Sequence, residues 1–199
     1  MPIRNTTARW GAAALVFHWL IAALIFVQLP LGLIASKLPP DMEKLALLAS
    51  HKSIGLTILA LAAVRLAWRS LNPTPSLPHT LRPHERLLAH FSHAALYALM
   101  FAMPLTGWIM SSARGFPVSW FDLFQVPDLV GKSEPLFNAM VVTHAVLAIA
   151  LAGFLALHIA AALKHHFVLR DETLRRILPF NRIGPPQPRN APTTSRARQ

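Results

Sequence analysis

At 199 residues, 54% hydrophobic and only 14% charged, this chain falls well below the ~25% charged residues of an ordinary soluble domain. Its mean hydropathy of +0.44 points to the bilayer. The net charge of +11, from 19 Lys and Arg against 8 Asp and Glu, reads as topogenic charge on one membrane side and not as a nucleic-acid surface. The absence of cysteine excludes disulfides, iron–sulfur ligation, thioether-attached haem and thiol catalysis.

Residues 1–11 are polar and basic, with Arg4 and Arg9. A first helix is predicted over 12–34, apolar apart from His18 and Gln28. It is long enough to span, and longer than the roughly 7–15 residues of a signal-peptide core, so it is read as retained. Pro30 is expected to kink or close it. Pro39 and Pro40 then break the chain. A second helix is predicted over 47–69, with His51 and Lys52 at its entry and Arg65 and Arg69 at its exit. Pro73, Pro75, Pro78 and Pro83 make the next stretch an extended connector.

A third helix is predicted over 85–110, containing His90, His93, Pro104 and Gly107. The longest loop follows, with Phe116, Trp120, Phe121 and Phe124 suited to a membrane interface. A fourth helix is predicted over 137–167. Residues 169–179 could form a short amphipathic surface helix, and 181–199 read as a disordered basic tail. The fold class is therefore all-α: an integral membrane four-helix bundle, up-down-up-down, in one domain over 1–180. This topology puts 14 basic residues on the side of the termini and 5 on the other. Both termini are then expected in the cytoplasm.

Ten histidines are many for so apolar a chain. His144 and His158 lie 14 residues apart on the fourth helix. That spacing returns to within roughly 40° of one face and separates them by about 21 Å along the axis. One imidazole thus sits near each border of a hydrocarbon core about 30 Å thick. His18 shares the inner level with His158, and His51 shares the outer level with His144. A pair at each level is what bis-histidine ligation of two b-type haems requires, each iron taking one axial nitrogen from either side.

A lone intramembrane histidine is often only a hydrogen-bonding group across a bundle; four paired by depth argue for ligands. Gly11 and Gly32 fall near the face of His18, and Gly55 one turn after His51, where small residues leave room for a porphyrin. His90 and His93 compete with His18 for the inner level but lie nearer the interface. His165 and His166 are placed at the inner surface, and His79 and His84 in the solvated connector. Arg65 and Lys52 are suited to haem propionates by charge-assisted hydrogen bonding, or are simply topogenic or snorkelling charges.

These residues occur in a set of segments that resembles the bacterial cytochrome b561 family. They are FHWL around His18, HKSIG at His51, VRLAWR with Arg65 and Arg69, and LAHFSHAALYALMFAMPLTGW. ARGFP from Arg114, TH at His144 and LHIAAALKHHFVLRDETLRRILP from His158 complete it. The likeness covers about residues 8–180 and extends to the cytochrome b subunits of membrane hydrogenases and formate dehydrogenases. It implies His18 and His158 as ligands of an inner haem b, and His51 and His144 of an outer one. It also implies a bacterial inner-membrane oxidoreductase linking the quinone pool to an outer-face carrier or small oxidant. One branch oxidises superoxide and reduces ubiquinone.

With both irons fully ligated no open coordination position remains, so the expected work is outer-sphere electron transfer without catalytic side chains. The expected partners are membrane lipid, ubiquinone or a related quinone, and superoxide or a small redox carrier, with a partner subunit as a further candidate. Lys37, Lys44, Lys52, Arg114 and Lys132 could attract an outer anion, although Asp41, Glu43, Asp122, Asp128 and Glu134 cancel them formally. Two rivals are a histidine-lined metal transporter and a non-redox scaffold. The first needs polar residues along a path, and the fourth helix has none between His144 and His158.

Overall fold

The computed structural model describes residues 2–7, 9–76 and 82–178. Four helices dominate it: α1 (Ala12–Lys37), α2 (Met42–Ser70), α3 (Pro83–Arg114) and α4 (Glu134–Phe167). Each carries an 18-residue stretch of mean hydropathy between 1.4 and 2.4, sufficient to cross a bilayer. α1 starts and α4 ends where predicted, and every other helix end lies past the bound predicted from the apolar core. The reason is capping. The Asp41 carboxylate accepts the Lys44 N–H at 3.0 Å and so starts α2 ahead of its apolar run. Pro83 opens α3, where Glu85 accepts the Arg82 N–H at 3.1 Å. Gly115, at φ 78°, closes the same helix. Ser133 caps α4. Pro30 does not close α1, which continues to Lys37; one proline removes one hydrogen bond, and lipid leaves the chain no better alternative than helix.

Neighbouring helices pack in chain order, α1 on α2, α2 on α3 and α3 on α4, while α1 and α4 scarcely meet. The core joins Ile21 and Ile25 of α1, Ile58 and Ala62 of α2, Leu99 and Met100 of α3, and Leu151 of α4. Leu151 is midway between His144 and His158, so this core is an apolar plug between the two histidine levels. The outward face of α4 is exposed and apolar; Ile149 is 75% and Val146 59% accessible. Such a face is stable against lipid and not against water.

Among the described residues, the long loop holds the one departure from all-α. An antiparallel hairpin pairs β1 (Val118–Trp120) with β2 (Phe124–Val126), Val118 opposite Val126. Its turn residues Phe121 and Asp122 have φ of 47° and 57°. α2 anchors it: Ser53 Oγ accepts the Phe121 N–H at 2.9 Å, and Thr57 Oγ1 accepts the Trp120 indole N–H at 3.0 Å.

The other end of the bundle carries both ends of the described chain. Asn5 accepts the Gly11 N–H at 2.9 Å and donates to Pro73 O at 3.1 Å. Gly11 is the N-cap of α1, with the backbone of Ile3 and Arg4 where a side chain would stand. It serves chain packing there, not the porphyrin space expected of it. Residues 168–178 form turns instead of the expected amphipathic helix. Trp19 on α1 donates to Ile177 O at 2.7 Å, so this segment straps α4 to α1 across the side where the two helices stay apart. His79 and the tail 181–199 lie outside the described residues.

Candidate functional site

The four histidines come from three helices and meet as two pairs. His18 of α1 faces His158 of α4 with ring centroids 6.3 Å apart, and His51 of α2 faces His144 of α4 at 6.2 Å. An imidazole nitrogen binds a metal at about 2.0–2.1 Å. With about 1.1 Å from nitrogen to ring centre, two rings on opposite sides of one metal would stand about 6.3 Å apart. Both pairs match that spacing. His93 of α3 joins the first level, but its ring centroid is 5.4 Å from that of His158, short for such an opposed arrangement.

The pair at the hairpin end is built from both sides. His144 Nδ1 lies 3.0 Å from Thr106 Oγ1. The single hydroxyl proton of Thr106 is directed to the α3 carbonyls of Ala102 and Met103, both at 2.9 Å. Nδ1 of His144 must therefore carry the hydrogen of that contact, which leaves the Nε2 lone pair available for a metal. Across the pair, Gln28 of α1 donates to the backbone carbonyl of His51 at 2.8 Å and fixes α1 against α2 at this depth. Two glycines make the room. A Cβ on Gly32 would stand 2.7 Å from His51 Cε1, and one on Gly107 3.2 Å from His144 Cε1. Gly55 packs near Gln28 and not against the histidines. His51 Nδ1 and Gln28 Oε1 are buried without a partner among the described residues. Such atoms inside a dry bundle mark a place arranged for something more than apolar packing.

The pair at the terminal end is held differently. Arg65 Nη2 lies 3.1 Å from His18 Nδ1. A guanidinium only donates, so Nδ1 here accepts and the hydrogen is on Nε2. For His18 to ligate through Nε2, Nδ1 must take the hydrogen and Arg65 must turn away. Arg65 also stands over the Tyr97 ring at 5.4 Å, with Arg69 at 5.8 Å on the same ring. Arg65 is thus at the level expected of it, in contact with His18 and Tyr97. Lys52, expected near the other pair, donates to Pro117 O at 2.7 Å and ties α2 to the loop before the hairpin.

Sequence reasoning found all four paired histidines and Gly32. It missed Thr106, Gly107 and Tyr97 as neighbours of the site, and gave Gln28 no role. Gly107 stands in LTGW and carried a readable signal, being at the depth of His144 on a facing helix.

A sequence model of the family described as Prokaryotic cytochrome b561 matches residues 9–180. The chain is 34% identical over 187 residues to a protein of Escherichia coli (strain K12) named Cytochrome b561 homolog 2, covering 89% of this chain and 95% of that one. It is 33% identical over 132 residues to a protein of Yersinia pestis named Probable superoxide oxidase CybB, covering 66% and 74% respectively. A second Escherichia coli (strain K12) protein, Cytochrome b561 homolog 1, is 28% identical over 131 residues.

Proposed function

This chain belongs to the prokaryotic cytochrome b561 family of haem-binding, multi-pass inner-membrane proteins of electron transport, and from that premise we propose that it holds two b haems and carries electrons between the quinone pool and a donor or acceptor on the outer face. The observation that carries this reading is the pair of histidine pairs, 6.3 and 6.2 Å between centroids, with an apolar plug between the levels. Haem b held by these histidines would supply reversible one-electron chemistry.

The roles of the chain's own residues follow. His18 and His158 would hold the inner group, His51 and His144 the outer one, with the termini in the cytoplasm. Thr106 keeps the His144 ring in its ligating tautomer. Arg65, released from His18, would meet a propionate by charge-assisted hydrogen bonding. Lys52 would reach the outer propionates only by giving up Pro117. The plug of Ile21, Ile25, Ile58, Leu99 and Leu151 excludes water between the levels, so electrons and not ions or protons pass.

The name of the Yersinia pestis relative supports superoxide as the outer donor, and ubiquinone is the acceptor proposed with it. The reaction balances when two superoxide anions each lose one electron to become dioxygen, and one ubiquinone takes two electrons and two protons to become ubiquinol. The test uses the protein in ubiquinone-loaded liposomes, with superoxide generated outside. Ubiquinol should form in proportion to superoxide and stop in the His51→Ala variant. Equal ubiquinol with His51→Ala would refute the outer entry point, and haem that ubiquinol reduces but superoxide does not would point to another donor.

A further inference from the structure

The terminal end of the bundle contains a basic cavity that electron transfer does not use. Its volume is about 300 Å³, and it is lined by His166, Phe167, Arg170, Asp171 and Arg175. The acids of this end are already matched. Asp171 lies 2.6 Å from His165 Nδ1 and accepts the Thr173 N–H at 2.8 Å. Glu85 pairs with Lys164 at 3.0 Å, and Glu172 lies 4.0 Å from Arg176. Arg170 and Arg175 have no acidic partner among the described residues. His166 Nδ1 is buried without a hydrogen-bond partner among them. Arg170 also holds φ at 51°, a left-handed conformation that is strained for a residue with a side chain. Two guanidinium groups without an acidic partner line one concavity, and the His166 ring stands in its wall. Their shared complement is a phosphate group, which offers oxygens to several donors at once.

The position of the cavity selects the source. It opens where α4 leaves the membrane, beside Phe167 and Val168, which are 67% and 71% exposed. Apolar side chains next to unmatched arginines suit the border between acyl chains and headgroups, where basic residues attract anionic lipids. A second cavity of about 410 Å³, lined by Arg82, Glu85, Lys164 and Leu169, brings a further arginine to this end of the bundle.

We propose that the His166–Arg170–Arg175 cavity binds the headgroup phosphate of an anionic phospholipid in the leaflet on the side of the termini. The lipid would fasten the segment 168–178, which bridges α4 and α1. This reading is independent of the number of haems.

The test is native mass spectrometry of the whole protein released from nanodiscs containing phosphatidylglycerol and phosphatidylcholine in equal amounts. Wild type should retain phosphatidylglycerol several-fold over phosphatidylcholine. The Arg170→Gln/Arg175→Gln variant should lose that preference, while Arg4→Gln/Arg86→Gln, which removes the same two charges' worth at the same end, should keep it. Loss of preference in Arg4→Gln/Arg86→Gln as well would mean unspecific attraction and would overturn the site. Displacement of phosphatidylglycerol by millimolar inorganic phosphate would make it a site for soluble phosphate and overturn the lipid assignment. Hydrogen exchange on wild type needs no variant: phosphatidylglycerol nanodiscs should slow exchange at 168–176 relative to phosphatidylcholine ones, and equal exchange would refute the proposal.

Discussion

Thr106 settles which nitrogen of His144 is free. Its proton is directed to helix carbonyls, so it accepts from Nδ1, and that hydrogen bond would make the ring a stronger donor to iron in the ligand role proposed for it. The Thr106→Val variant keeps the shape and removes the acceptor. The reduction potential of one haem should move to a more positive value while the other stays, as read by an optical redox titration. Two unmoved potentials would remove Thr106 from the site. Gly32 is the steric counterpart. The Gly32→Val side chain would collide with the His51 ring, which a Cβ alone approaches to 2.7 Å. Overpacking of this kind costs about 1–3 kcal/mol, and the variant should purify with the hairpin-end haem depleted. The histidines were legible because an imidazole in an apolar run has few uses. Thr106 was not, because its partner is 38 residues away on another helix and a threonine inside a helix usually bonds its own backbone.

At the scale of elements, the four helices were readable from uninterrupted apolar runs that only a bilayer rewards. Their ends were not, because Asp41, Glu85 and Ser133 extend helix into polar sequence by capping. The hairpin was invisible for a different reason. Its strands are three residues each, and its turn places Phe121 and Asp122 at positive φ without a glycine to announce it. What holds it is the Ser53 and Thr57 stripe of α2, a tertiary contact. The strap 168–178 likewise departs from the expected surface helix because Asp171 turns back onto His165. Burial alone would raise the Asp171 carboxyl, but hydrogen bonds from Thr173 and His165 outweigh it and hold it below its ordinary 3.8. A lowered carboxyl stabilises the folded arrangement in full above that value, and the contribution is lost as pH falls through the still lower folded one. Trp19 fluorescence, which senses the strap through Ile177, should therefore be constant from neutral pH down to about 4 and change only below. A change centred near pH 6 would assign the contact to a different group.

For the molecule as a whole, the arrangement separates two polar levels by a dry core. That separation distinguishes a carrier of electrons from a carrier of metal ions, which would need ligands handed on between the levels. The plug is also the main packing of the bundle, since lipid itself supplies no hydrophobic drive between helices. Ile58→Ala leaves a cavity there and should lower stability by about 2 kcal/mol, the small end of the range for such core truncations because the surrounding lipid is itself apolar. Thermal unfolding followed at the haem absorption measures it, and the two reduction potentials should be unchanged.

The central claim, two haems on two histidine pairs, is tested most directly by counting haem per chain in purified wild type and in the His18→Ala, His51→Ala, His144→Ala and His158→Ala variants. The account predicts two haems with sharp low-spin reduced bands in wild type and one in each variant. It further predicts that His18→Ala and His158→Ala leave the same remaining spectrum, and His51→Ala and His144→Ala the other. A single haem in wild type, or a variant that keeps both, would contradict it.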